Sequence, residues 1–228
     1  MLLPPGASEL PQALVFDLDG TIVDTETPEF EAIRSVWGEH GLTYTVEQFE
    51  RVIGTATGAG AWIDELETAV GSSVDREAAR VMHRAVHSRL TNALRPRDGI
   101  TRIIDEALSA GVPLGIASNS PRWWVLARVE AAGLVEAFAT IVSVDDSSVP
   151  KPDPAPYLEA CAAMGADPTR SVAFEDSATG VRSARAAGLY TVACAGPLTL
   201  GHDLSAAHRV ITSHTEINLT ELGSALRG

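Results

Sequence analysis

Ala13-Leu14-Val15-Phe16-Asp17-Leu18-Asp19-Gly20-Thr21 decides the fold and opens the candidate site. An unbroken apolar run followed by a glycine turn reads as a buried strand, and strands buried on both faces belong to parallel sheets. Two carboxylates then stand at its carboxyl end. Downstream, the chain repeats a unit of short strand, loop, Ala/Leu/Arg-rich helix and glycine stop. Strands are expected at 12–17, 112–118, 139–144, 171–175 and 190–194. Helices are expected at about 99–110, 122–132, 154–164 and 177–187, closed by Gly111, Gly133, Gly165 and Gly188. A weak strand at about 208–211 and a helix at about 216–226 follow. The fold class is α/β: a parallel sheet with helices on both faces, in which ligands bind beyond the carboxyl ends of the strands.

Residues 26–94 break this rhythm. They contain no convincing strand and read as consecutive helices near 28–40, 46–53, 60–70 and 75–94. The flanks, Asp24-Thr25-Glu26 and Arg95-Pro96-Arg97-Asp98-Gly99, carry capping and turn residues, as two hinges beneath a moving lid require. The expected division is a core of 1–24 and 95–228 with a helical insertion of 25–94.

The 228 residues are 45% hydrophobic, enough for a substantial core. A net charge of −13 argues against nucleic acid or an anionic membrane as partner. No apolar run approaches the roughly 18 residues of a membrane span, and Met1-Leu2-Leu3-Pro4-Pro5-Gly6 lacks the features of a signal peptide. Cys161 and Cys194 are expected as buried free thiols. The thiols and the lack of signal-peptide features lead to the expectation of a cytoplasmic protein, and a lid that must swing leads to that of a monomer.

Lys151, in Lys151-Pro152-Asp153-Pro154, is the only lysine among 17 basic residues; the other 16 are Arg. Its proline-stiffened loop suits a fixed point charge for a phosphoryl group. Val172-Ala173-Phe174 ends in Glu175-Asp176, hard oxygen donors that suit Mg²⁺ better than zinc. Beside such an ion Asp17 could attack phosphorus, and Asp19 could protonate the leaving alkoxide and later deprotonate water. In Ile116-Ala117-Ser118-Asn119-Ser120-Pro121 a strand gives way to a helix, whose free N–H groups make an anion site. There Ser118 would bind a phosphoryl oxygen and Asn119 the phosphate or leaving group, with Ser120 capping the helix. His83 and His87, like Arg80, Arg84 and Arg89, are expected on a solvated helix face, and Trp123 and Trp124 in the core.

Together Asp17-x-Asp19-Gly20-Thr21, Ser118-Asn119, Lys151-Pro152 and Glu175-Asp176-Ser177 resemble the four motifs of the haloacid dehalogenase (HAD) superfamily. The resemblance spans roughly residues 12–195 and includes the helix from Gly180 to Gly188. It implies a Rossmann-like core with a four-helix cap, similar to the β-phosphoglucomutase-like branch and its small-molecule phosphatases. It implies Asp17 as nucleophile and Asp19 as general acid/base, with the Asp19 backbone carbonyl, Asp17, Glu175 and Asp176 at Mg²⁺. Ser118, Lys151 and Asn119 would hold the phosphoryl group, and Thr21 would lie at the phosphate near the loop coupling cap closure to Asp19. Gly54 and Thr55 match the substrate-facing cap loop; Thr57 and Trp62 are further cap candidates.

Departures narrow the branch. Dehalogenases lack an acid equivalent to Asp19. Phosphonoacetaldehyde hydrolases use a cap lysine, absent here. β-Phosphoglucomutases place an arginine just after the cap-loop glycine, whereas Gly54 is followed by Thr55-Ala56-Thr57-Gly58 and Arg51 precedes it. The expected activity is Mg²⁺-dependent hydrolysis of a small phosphorylated metabolite, a sugar or polyol phosphate, through an aspartyl phosphate. The alternatives are a phosphohexomutase and, from another class, a non-catalytic phosphorylation switch or binding protein.

Overall fold

Side-chain alternation along very short strands lays out both faces of the sheet. The computed structural model describes residues 10–51 and 60–227. Its strands are β1 (Leu14–Phe16), β2 (Leu114–Ala117), β3 (Thr140–Val142), β4 (Val172–Glu175), β5 (Tyr190–Cys194) and β6 (Arg209–Ile211). They form one sheet in the order β3-β2-β1-β4-β5-β6, with every neighbouring pair parallel. Leu14 lies opposite Leu114 and Val172, and Phe16 opposite Ile116 and Phe174. The Phe16 and Phe174 rings stack with centroids 4.5 Å apart. β1 is shorter than the run 12–17, yet the Asp17 amide still donates to the Phe174 carbonyl at 2.9 Å. The strand therefore delivers its carboxylate with the backbone fixed.

Between β1 and β2 the chain leaves the sheet for α1 (Glu26–Glu39), α2 (Val46–Glu50), α3 (Ala61–Val70) and α4 (Arg76–Thr91). A capping box at Thr45 and Gln48 starts α2, and the Asp75 carboxylate caps α4. α4 ends at Thr91 rather than near 94, where the chain turns back toward Pro96. Phe30, Ile33, Val36 and Trp37 from α1 pack with Tyr44, Phe49, Trp62, Ile63, Leu66 and Ala79 in a second cluster, which Leu198 joins from the segment after β5. The segments leading out and back lie side by side: Val23 bridges Pro96, and the Arg97 amide donates to the Ile22 carbonyl at 2.8 Å.

The remaining helices are α5 (Ile100–Ser109), α6 (Arg122–Ala131), α7 (Ala155–Ala163), α8 (Ala178–Ala186) and α9 (Leu219–Ala225). Leu14, Phe16, Ile116 and Phe174 meet α5, α6 and α9 through Ile103, Ile104, Val125, Val129 and Leu222. Val15, Ala117 and Ala173 meet α7 and α8 through Tyr157, Ala160, Cys161 and Ala184. Small residues on this second face let the helices lie close; a Cβ at Gly115 would press on the Met164 methyl. α5 to α8 each stop two residues before Gly111, Gly133, Gly165 and Gly188. α9 begins at Leu219 rather than near 216, because Asn218 caps it and a 3-10 turn, His214–Glu216, precedes it. Both cysteines are free and buried.

Candidate active site

Three strand ends bring the acids and the lysine together. Asp17 follows β1, Glu175 closes β4 with Asp176 next to it, and Lys151 lies in the loop between β3 and α7. Lys151 is 5% exposed. Its Nζ donates to Asp17 Oδ1 and to Glu175 Oε1, each at 2.6 Å, and to Tyr157 Oη at 3.3 Å. Burial works against its charge, but Asp17 and Glu175 more than offset this and hold the ammonium above its ordinary pKa. Glu175 is committed on both oxygens. Oε1 also accepts from Tyr157 Oη at 2.5 Å, and Oε2 accepts from Ser177 Oγ at 3.2 Å. The carboxylate needs the space that Gly180 leaves, since a Cβ there would overlap it.

Asp176 is the counterpart with a free oxygen. It is 2% exposed, and its Oδ2 has no hydrogen-bond partner among the described residues. Gly20 turns the chain at φ 82° against this carboxylate, and a Cβ at Gly20 would overlap it. Asp17, Glu175 and Asp176 offer oxygens all within 4.8 Å of one another. Three buried carboxylates share one ammonium, so burial raises the Asp17 carboxyl to about 8, with Lys151 opposing and Glu175 and Asp19 adding repulsion. Burial likewise raises Asp176, with Asp17 and Glu175 adding to it. An all-oxygen donor set with excess negative charge and an orphaned buried oxygen fits a hard divalent cation. Asp19, expected to lend only its backbone carbonyl, keeps its side chain out of this group.

The Asp19 carboxylate is held by three donors from two loops. Thr25 Oγ1 and Trp124 Nε1 donate to Oδ1 at 2.7 and 2.8 Å, and Ser120 Oγ donates to Oδ2 at 2.6 Å. Ser120 is thus not the cap of α6; that position is Pro121, which has no side-chain bond to offer. Ser118 is buried beside the cavity, with its Oγ accepting from the Ser120 amide at 3.0 Å. Asn119 joins two loops: its Nδ2 donates to the Lys151 carbonyl at 3.1 Å and its Oδ1 accepts the Lys151 amide at 2.8 Å. Thr21 does not line the cavity. It is fully buried, its Oγ1 has no hydrogen-bond partner among the described residues, and Thr25, four residues on, occupies the cavity wall.

These groups form the floor of a cavity of about 430 Å³ whose roof is made by the inserted helices. Glu26 and Glu29 of α1, Trp62 of α3 and His87 of α4 face it, as do Trp123 and Trp124 of α6. His83 and His87 are not on a solvated face. Their side chains are 15% and 16% exposed because they stack between two indoles. The centroid separations run 5.2 Å from Trp62 to His83, 5.7 Å to His87 and 5.3 Å to Trp124. Glu29 reaches His83 Nε2 at 3.1 Å and His87 Nε2 at 3.5 Å. Burial lowers the His87 pKa. Of the two adjacent tryptophans, Trp123 is 68% exposed rather than in the core, whereas Trp124 is half-buried against the main core and gives its N–H to Asp19. Arg80, Arg84 and Arg89 are exposed as expected. Gly54, Thr55 and Thr57 lie outside the described residues.

Sequence reasoning missed Tyr157, Thr25, the bond from Ser120 to Asp19, and Arg97. The Arg97 guanidinium donates to the carbonyls of Gly20, Cys194 and Ala195, the latter two at 3.0 and 2.9 Å. It ties the glycine turn after β1 to the end of β5. The only local signal for Arg97 was its place in the return hinge.

Known proteins are similar to this chain along most of its length. Validoxylamine A 7'-phosphate phosphatase of Streptomyces hygroscopicus subsp. limoneus is 30% identical over 215 residues, covering 92% of this chain and 97% of that protein. Fructose-1-phosphate phosphatase YqaB of Escherichia coli is 33% identical over 181 residues, covering 78% and 94%. The crystal structure of β-phosphoglucomutase from Clostridium difficile has the same fold, with a TM-score of 0.76 at 19% identity over 96% of this chain and 98% of that one. The haloacid dehalogenase-like hydrolase model matches residues 14–194, from the first residue of β1 to the last of β5. The chain belongs to the haloacid dehalogenase-like hydrolase family.

Proposed function

We propose that this protein is a Mg²⁺-dependent phosphatase that hydrolyses a small sugar or polyol monophosphate through an aspartyl phosphate on Asp17. The observation that carries the reading is the pairing of Asp17 with Lys151 beside the orphaned Oδ2 of Asp176. Asp17 and Asp176, with the Asp19 carbonyl, would hold the ion, and Glu175 would orient Lys151. Bound there, Mg²⁺ supplies positive charge that offsets repulsion between a carboxylate and a phosphate ester.

Lys151 fixes Asp17 through Oδ1 and leaves Oδ2 for the reacting phosphorus. In the first step Asp17 Oδ2 forms a bond to phosphorus while the bond from phosphorus to the alkoxide breaks. Asp19 gives its proton to that alkoxide. An indole N–H can only donate, so Oδ1 of Asp19 stays an acceptor and the proton resides on Oδ2, where the Ser120 hydroxyl can reverse its role and accept. In the second step Asp19 takes a proton from water as the water oxygen bonds to phosphorus. The bond from phosphorus to Asp17 breaks, releasing inorganic phosphate. Ser118 and Lys151 lie at the cavity to receive the phosphoryl oxygens. The helices over the floor would act as the cap that excludes water from the reacting ester.

Two buried unpaired thiols support a cytoplasmic setting. None of the described helices is long and apolar enough to cross a membrane.

The test is phosphate release from p-nitrophenyl phosphate and a panel of sugar phosphates, with Mg²⁺ and with EDTA, for wild type and Asp17→Asn. Metal-dependent release that falls at least about 10³-fold in the variant is expected. Wild-type turnover by Asp17→Asn would overturn the mechanism.

A further inference from the structure

The charges around the cavity are unequally divided. Among the described residues that line it, Lys151 is the sole lysine or arginine, and Asp17 and Glu175 already share it. Residues 52–59, Val-Ile-Gly-Thr-Ala-Thr-Gly-Ala, contain no lysine, arginine or histidine. Arg51, Arg128 and Arg97 are engaged elsewhere. Arg51 Nε donates to the Glu47 carbonyl, and Arg128 lies over the Trp124 ring with its Nη1 donating to the Thr91 carbonyl. Arg97 serves three carbonyls beneath the floor.

The roof carries the opposite sign. Glu26 and Glu29 face the same space; burial pushes the Glu26 carboxyl well above its ordinary range, and Glu29 lies against the His83 and His87 imidazoles. The rings of Trp62, His87 and Trp124, held in one stack through His83, line the same space. Aromatic faces give C–H surfaces a place to lie, and carboxyl groups accept from hydroxyls or, ionised, pair with an ammonium. A second phosphate or a carboxylate on the leaving group would meet two acids with no cation to receive it, in a cavity where water screens poorly.

Resting on the phosphatase reading above, we propose that the roof selects monophosphate esters of a neutral or amine-bearing polyol and rejects esters carrying a second anionic group, with Glu29 setting the discrimination. The same charge division leaves a bisphosphate activator without a seat. Phosphoryl transfer to water, rather than back to a phosphorylated sugar, is the reaction this cavity suits.

The experiment compares kcat/KM for glucose 6-phosphate, glucosamine 6-phosphate, glucose 1,6-bisphosphate and 6-phosphogluconate with Mg²⁺, and each compound's inhibition of p-nitrophenyl phosphate turnover. The two doubly anionic compounds are expected to be at least about 100-fold poorer than glucose 6-phosphate, and glucosamine 6-phosphate equal or better. Glu29→Gln should shrink the preference for mono- over bisphosphate about tenfold, chiefly through KM, and Glu29→Lys should reverse it. A bisphosphate used as well as the monophosphate by wild type overturns the proposal. So does a preference that neither Glu29 variant changes, or a failure of both hexose monophosphates to be hydrolysed or to inhibit. If p-nitrophenyl phosphate turnover does not depend on Asp17, the phosphatase reading itself fails, and that result is distinct from the others.

Discussion

The floor and the roof of the cavity are built by different means. On the floor, Asp17, Lys151, Glu175 and Tyr157 are buried and bonded to one another, and Gly20 and Gly180 leave room for carboxylates. In the roof, Glu29, His83 and His87 keep part of their surface open, and the contacts are ring stacks and one shared carboxylate. A buried, mutually satisfied set tolerates little change, because each group removed strands another in a medium that penalises bare charge. Half-open rings can be exchanged at lower cost. The floor therefore suits the step common to every phosphate ester, and the roof the part that differs among them.

Removing Lys151 should strike the floor hardest. Lys151→Met leaves Asp17 and Glu175 buried without their cation, a change that costs about 3–5 kcal/mol. Turnover of every ester should fall at least about 10³-fold together with Tm, in assays of p-nitrophenyl phosphate and of any sugar phosphate. A loss confined to some substrates would break the division between floor and roof. Arg97 tests the floor's support rather than its charge. Arg97→Met should lower stability by about 2 kcal/mol in urea melts, since charged donors leave three carbonyls.

Trp124 joins the two halves, because its N–H holds Asp19 while its ring faces His87. Trp124→Phe keeps a ring and deletes the donor. kcat for alkyl phosphates should drop about tenfold, the equivalent of one hydrogen bond to a carboxylate. p-Nitrophenyl phosphate should change far less, because its phenolate leaves without needing a proton. Equal losses on both ester types would mean that Trp124 only packs.

The same division separates what a sequence discloses from what it hides. Asp17 with Asp19 and Glu175 with Asp176 are close in the chain and follow apolar strands, so the topology that brings their strands together could be read from hydrophobic runs and glycine stops. Lys151 stood out because no other lysine competes with it. Asp19's partners give no such signal: Ser120 and Trp124 are 101 and 105 residues away and meet it only after β2 pairs with β1. His83 and His87 look like surface residues on a helical wheel, and only the packing of Trp62 and Trp124 on either side covers them. Asn119 and Thr21 show the limit from another side. Their motif positions were evident, yet Asn119 is bound to the Lys151 backbone and Thr21 is turned into the interior. Local sequence places a residue near a site, whereas its partners decide what it does there.

Histidines give the mildest test of the contrast, and one that reads stability rather than turnover. His83 and His87 in the roof lie beside the Glu29 carboxylate, which opposes part of the lowering that burial imposes on His87. His214, beneath the sheet, is 1% exposed, its Nε2 has no hydrogen-bond partner among the described residues, and its charged neighbours include Arg97 and Arg102, the latter donating to its carbonyl. Burial, with Arg97 adding to it, lowers its pKa to about 3. Below an unfolded-state pKa near 6.5 the unfolded chain binds a proton that the folded chain refuses, so folding stability falls as pH drops through that value and continues to fall toward 3. Between pH 7.5 and 5.5 this one group should remove about 1.4 kcal/mol. His214→Gln should flatten the slope of unfolding free energy against pH over that interval by this amount, whatever its effect on absolute stability, in urea melts at matched ionic strength. An unchanged slope in His214→Gln, with a flattened one in a His83→Gln, His87→Gln double variant, would place the acid-sensitive packing in the roof and reverse the contrast.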